Sequence, residues 1–131
     1  MFQLLILTTD KSRFADMSAA LKRLDANVIW ESSGNRTLEW LRDHPIDLVV
    51  VDEKLGDMTG LSFIAKLVAV NPMINCAVVS SLSAQAFHEA SEGFGILMQL
   101  PPKPDRNDGQ RLMDRLIRIT GSLPHPEGSE V

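Results

Sequence analysis

Two kinds of apolar segment alternate along this chain. The first kind is short and continuous: Leu4-Leu5-Ile6-Leu7, Val28-Ile29-Trp30, Leu48-Val49-Val50-Val51, Ala77-Val78-Val79, and Ile96-Leu97-Met98 running on to Leu100. Bounded runs of this length, rich in β-branched residues, predict strands buried on both faces. The second kind has helical spacing. Phe14, Met17, Leu21 and Leu24 recur on one helical face, as do Leu38 with Leu41, and Leu61, Ile64, Leu67 and Val68. Phe87, Ala90 and Phe94 predict a fourth helix, and Leu112, Leu116 and Ile119 a fifth.

The polar punctuation agrees. Asp10 or Ser12 caps the first helix, and Gly34-Asn35 opens the second, which His44-Pro45 ends. Asn71-Pro72 closes the third, and Gly93 and Gly95 close the fourth. A strand followed by a helix, five times over, predicts an α/β fold with a five-stranded parallel sheet covered on both faces. At this size the doubly wound (βα)5 arrangement, with flavodoxin-like strand order 2-1-3-4-5, is the simplest solution. Five such units fill residues 1–120. Residues 121–131, rich in Gly, Pro and Ser, read as a flexible tail or the start of a linker.

Composition narrows the function. The chain has 131 residues, a formal charge of -4 and 44% hydrophobic residues, which describes an ordinary globular domain. The mild acidity gives no electrostatic footprint for nucleic acid and argues against a basic membrane-surface helix. No apolar run approaches the roughly 20 residues of a membrane span. The single Cys76 cannot form an internal bridge, fits a reducing compartment, and reads as packed rather than reactive. A cytoplasmic, non-enzymatic domain is expected.

In open parallel sheets, ligands bind at the carboxyl edge of the strands. Thr8, Thr9 and Asp10 follow the first strand, Asp52 to Gly56 the third, Ser80 and Ser81 the fourth, and Lys103 and Pro104 the fifth. One carboxylate, several hydroxyls and one lysine meeting there would suit an acyl-phosphate site. Asp52 would be the nucleophile toward phosphorus, Lys103 a point charge for a phosphoryl oxygen, and Ser81 a hydrogen-bond donor to another. The structural alternatives are a turn aspartate, a permanent Lys103–Asp52 ion pair and ordinary loop hydroxyls. Asp10 reads more readily as a helix cap than as a metal ligand.

Pro45-Ile46-Asp47-Leu48-Val49-Val50-Val51-Asp52, then Leu55-Gly56-Asp57-Met58-Thr59-Gly60-Leu61, and finally Leu100-Pro101-Pro102-Lys103-Pro104 resemble the response-regulator receiver domain of two-component signalling. The resemblance covers roughly residues 3 to 120. It implies that Asp52 is the phospho-acceptor, that Lys103 pairs with the phosphoryl group, that a cis peptide precedes Pro104, and that Ser81 is the switch hydroxyl. It implies Mg²⁺ held by Asp52 and the Lys54 backbone carbonyl, with Asp10 the poorer remaining ligand. It also implies a sensor histidine kinase or phosphotransfer protein as donor, an output domain or partner protein, and a homodimer through the last strand and helix as one option.

This chain departs from the family's pattern at telling places. Thr8 and Thr9 stand where two acids are usual, so Mg²⁺ binding is expected to be weak. Leu100 stands at the aromatic switch position, and Gly56 replaces the usual loop proline. The competing reading is a phosphorylation-independent pseudo-receiver that acts as a protein–protein interaction module. A flavin-binding protein is disfavoured because no Gly-rich phosphate loop follows the first strand. Arg111, Arg115 and Arg118 share a face of the last helix and read as a solvated face rather than a partner surface.

Overall fold

The computed structural model describes residues 1–121; the tail expected beyond Gly121 lies outside the described residues. Strands β1 (Phe2–Leu7), β2 (Ala26–Glu31), β3 (Leu48–Val51), β4 (Asn75–Val79) and β5 (Met98–Leu100) form one sheet. All pairings are parallel, in the order β2-β1-β3-β4-β5. Helices α1 (Ala15–Arg23), α2 (Gly34–Trp40), α3 (Gly60–Val70), α4 (Ala84–Ala90) and α5 (Arg106–Thr120) alternate with the strands. A 3₁₀ turn, Lys11–Phe14, runs directly into α1. The expected doubly wound α/β architecture is therefore observed.

The strand period of two divides the core into two layers. Leu4, Ile6, Leu48, Val50, Ala77 and Val79 face Phe14, Met17 and Leu21 of the α1 side and Leu112, Met113 and Leu116 of α5. Leu5, Leu7, Val49, Val51, Cys76 and Val78 face Phe63, Ile64 and Leu67 of α3 and Phe87 of α4. Each central strand is thus apolar at every position because both of its faces are covered. Gly109 lets α5 close on α1: a Cβ there would lie 3.2 Å from Met17 Cγ. Burial pushes the Cys76 thiol up to about 12, so it is inert as expected.

Three local expectations need correction. Ile119 is 61% exposed, because the last turn of α5 overhangs the sheet beyond Leu116. Ile96 and Leu97 precede β5, whose ladder begins where Met98 meets Ala77. Phe94 lies beyond the end of α4, past the turn at Gly93 (φ 89°), and packs on the second layer from a loop. His44 stacks on Trp40 at 4.1 Å between ring centroids. Two of the α5 arginines are also engaged within the chain. Arg111 pairs with Asp108, and Arg115 Nη1 donates to the Leu97 carbonyl at 3.0 Å.

Candidate functional site

The register aligns the carboxyl ends of the three inner strands. Leu7 pairs with Val51, and Val51 with Val78. Just beyond these pairs the ladder continues: the Asp52 N–H donates to Leu7 O, Thr8 N–H to Glu31 O, and Ser80 N–H to Leu100 O. Thr8 and Asp52 therefore stand side by side at the sheet edge, with Ser80 one residue further along its strand, and all three are buried.

Asp52 is 1% exposed, and an ionised carboxylate that deep must be paired and hydrogen-bonded. Its two oxygens are used unequally. Oδ2 accepts from the Thr8 hydroxyl at 2.7 Å and from the Arg13 guanidinium. Among the described residues, Oδ1 accepts only from the Glu53 N–H, at 2.7 Å. Each carboxylate oxygen has about two acceptor directions. Oδ2 is filled, and Oδ1 keeps one lone pair free of the described residues.

The cation on Asp52 is not the expected one. Arg13, in the 3₁₀ turn, reaches Oδ2 through Nη2, and its Nη1 donates to Pro102 O at 2.7 Å. Its Nε lies 3.7 Å from Asp10 Oδ2. Lys103 makes no ion pair with Asp52; it is exposed and has no hydrogen-bond or ion-pair partner among the described residues. A guanidinium fork can serve a carboxylate and a carbonyl at once, which a lysine point charge cannot do with fixed geometry. The peptide bond before Pro104 is trans.

Asp10 caps the 3₁₀ turn and makes no hydrogen bond to Asp52. Its Oδ1 accepts from the Ser12 N–H at 3.1 Å and the Ser12 hydroxyl at 2.5 Å, capping the 3₁₀ turn. The Ser12 hydroxyl is the main cause holding the Asp10 carboxyl below its usual range. Thr9 is exposed. Lys54 forms an antiparallel bridge with Thr59, flanked by hydrogen bonds from Gly60 N–H to Glu53 O and from Leu55 N–H to Met58 O. That pattern leaves the Lys54 carbonyl outside the bridge. Among the described residues no three His, Cys, Asp or Glu side chains come together as a metal cage. A guanidinium already sits on Asp52, so the donor set fits a divalent metal poorly.

Ser81 is also committed. Its N–H and its hydroxyl both donate to Glu53 Oε2, each at 3.0 Å. Ser81 is thereby brought to the loop that carries Asp52, through Glu53 rather than by touching the acceptor. Arg13 and Glu53 are the site residues that the apolar pattern does not reveal. The available signal for Arg13 is a basic residue one turn past β1, in a site stripped of its usual acids. For Glu53 it is an acid directly after the acceptor.

The loop after Asp52 is fixed from outside by Asp57. Its carboxylate accepts from Gly34 N–H at 3.1 Å, Asn35 N–H at 3.0 Å and the Ser33 hydroxyl at 3.1 Å. The backbone donors of Asn35 and Gly34 are the largest causes lowering its carboxyl below 3.8. A lowered carboxyl contributes stability that is present above the unfolded value and lost as pH falls through the folded one. In urea melts across acidic pH, wild type is therefore expected to lose stability more steeply below 3.8 than Asp57→Asn. Equal slopes would show that the Asp57 staple does not couple the loop to α2.

A buried carboxylate at the carboxyl edge of a doubly wound sheet, tied to the segments that follow β1, β3, β4 and β5, is the arrangement to be compared with known proteins. The profile of the response regulator receiver domain matches residues 4–116, and the chain belongs to that family. The transcriptional regulatory protein ZraR of Escherichia coli K12 is 25% identical over 120 residues. That match covers 92% of this chain and 27% of ZraR, so the chain spans about a quarter of this relative's length. Among solved structures, a two-component response regulator from Clostridium difficile superposes with a TM-score of 0.79 at 13% identity, covering 93% of this chain and all of the other. The signal receiver domain of an HD domain-containing protein from Pseudomonas fluorescens Pf-5 gives 0.77 at 14%, covering 92% and 89%. Domains of this family carry signals between kinases and output partners rather than catalysing metabolic reactions. No described helix is long and apolar enough to cross a membrane.

Proposed function

We propose that this receiver accepts a phosphoryl group on Asp52 Oδ1 from the phosphohistidine of a sensor histidine kinase or phosphotransfer protein, in the cytoplasm. The observation that carries the reading is the unequal use of the carboxylate: Oδ2 is filled, while Oδ1 has one donor. In the transfer, Oδ1 attacks phosphorus, the P–N bond to the donor imidazole breaks, and the released imidazole nitrogen keeps the bonding pair and takes a proton from solvent. The product is a mixed anhydride on Asp52. Lys103, uncommitted at the same edge, would hold one phosphoryl oxygen.

The new charge would then compete with Glu53 for the Ser81 hydroxyl. Ser81 exchanging one acceptor for the other would shift the β4–α4 loop relative to the β3–α3 loop. A phosphoryl group can drive this only by as much as it favours one arrangement over the other. The altered loop surface would be read by an output domain or a partner protein. Intact-mass spectrometry after incubation with phosphoramidate tests the reading. One added phosphoryl group is expected on wild type and none on Asp52→Asn. No gain on wild type, with this donor or with a histidine kinase, would overturn it.

A further inference from the structure

A phosphoryl group approaching a buried carboxylate brings negative charge against negative charge, and that repulsion must be offset by positive charge within a few ångströms. In this site the charge in place is a guanidinium. Arg13 is anchored at three points: Asp52 through Nη2, the Pro102 carbonyl through Nη1 at 2.7 Å, and Asp10 near Nε at 3.7 Å. Its neighbour Lys11 is drawn away, lying 5.3 Å from the Trp30 ring centroid. The anchors come from the loops after β1, β3 and β5. Arg13 therefore ties together three of the segments that surround the acceptor.

A divalent ion seeking Oδ2 would have to displace that guanidinium or sit beside it as a like charge. It would also find Asp10 occupied by Ser12 and Thr8 offering a neutral hydroxyl. Mg²⁺ gives up its water reluctantly even to good cages. The guanidinium, in contrast, is already in place and desolvated on the side facing Asp52.

We propose that Arg13 is the resident cation of this receiver: it stands where a divalent metal would meet Asp52, and the acceptor works without Mg²⁺. The inference rests on the reading of Asp52 as acceptor. It adds that Arg13 acts directly on the reacting carboxylate, by holding Oδ2 and neutralising the site while Oδ1 attacks. Removing one such preorganised donor from a reacting centre slows reactions by about a hundredfold or more.

Two readouts test it. In the first, the Glu53 backbone amide, which donates to Asp52 Oδ1, is followed by NMR during Mg²⁺ titration. It is expected to stay still in wild type at millimolar Mg²⁺ and to move in Arg13→Ala, where Oδ2 loses the guanidinium and keeps only the Thr8 hydroxyl among the described residues. Arg13→Gln serves as a second variant that keeps side-chain length, and the remaining amides report that each variant is folded. A wild-type amide that titrates at millimolar Mg²⁺ would overturn the proposal. So would variant amides as still as the wild type's. In the second readout, phosphoryl incorporation from phosphoramidate is measured with EDTA and with Mg²⁺. Wild type is expected to be unaffected by EDTA, and Arg13→Ala in EDTA to be slower by about a hundredfold. EDTA abolishing wild-type incorporation would overturn the resident-cation role. Failure of wild type under both conditions would instead count against Asp52 as acceptor, and the metal titration would still decide the place of Arg13.

Discussion

Gly60→Ala is expected to lower stability by about 3 kcal/mol, a fall of roughly 10 °C in melting temperature. Gly60 opens α3, and its N–H donates to Glu53 O at 2.9 Å. A Cβ there would lie 2.3 Å from the Asp52 carbonyl oxygen and 3.1 Å from Val78 Cγ2. The first contact is with backbone, so no side-chain rotation relieves it. Either α3 backs off from the sheet or the end of β3 shifts, and both movements displace the acceptor. Lost packing of Phe63, Ile64 and Leu67, all buried against β3 and β4, adds to the cost. Gly56→Ala is the matched control, because a Cβ there has nothing within 4 Å. It is expected to be neutral or to stabilise by about 0.5 kcal/mol, through the unfolded chain. Thermal melts of the two variants check the difference. Equal midpoints would show that close approach at Gly60 is not what places Asp52.

Gly60 also illustrates how much of the molecule is legible in the chain. The runs at β1, β3 and β4 are strands covered on both faces, as their unbroken apolar pattern implies, whereas the run at β2 lies at the sheet edge and is half-buried. The alternation within Leu4–Leu7 then divides the residues between two layers without further information. Asp52, at the end of such a run, must emerge at the carboxyl edge. What the pattern does not contain is the choice of partners among charges at that edge. Arg13, Lys11 and Lys103 all follow strands whose carboxyl ends meet at the same sheet edge as Asp52. The cation that reaches it depends on the pitch of the 3₁₀ turn and on the Trp30 ring that draws Lys11 aside. Glu53 is adjacent to Asp52 in sequence yet pairs with Ser81, 28 residues away. Such choices are settled by side-chain geometry after the backbone is in place. The Thr8–Thr9 departure shows the same limit. The sequence reveals the missing acids, but the guanidinium that neutralises Asp52 comes into view only in three dimensions.

That compensation has a measurable energy. Arg13→Ala leaves the Asp52 carboxylate buried with only the Thr8 hydroxyl and the Glu53 N–H for company. Breaking a buried ion pair from one side costs about 3–5 kcal/mol, because the partner stays charged out of water. Here the Arg13 side chain is 32% exposed, and solvent already screens part of the pair. A loss of about 2 kcal/mol is therefore expected in urea denaturation at neutral pH. Asp52→Asn should cost less, since Arg13 can turn its guanidinium to water and Asn keeps an oxygen for Thr8. The double variant Arg13→Ala/Asp52→Asn is the informative member. With no charge left to strand, it should recover about 1 kcal/mol or more relative to Arg13→Ala alone. Additive losses in that cycle would mean that the two side chains do not act on each other. Arg13 would then hold the Pro102 loop for its own sake, and the carboxylate would be stabilised by its hydrogen bonds alone. A recovery, in contrast, would show that the folded domain requires charge balance at Asp52 itself.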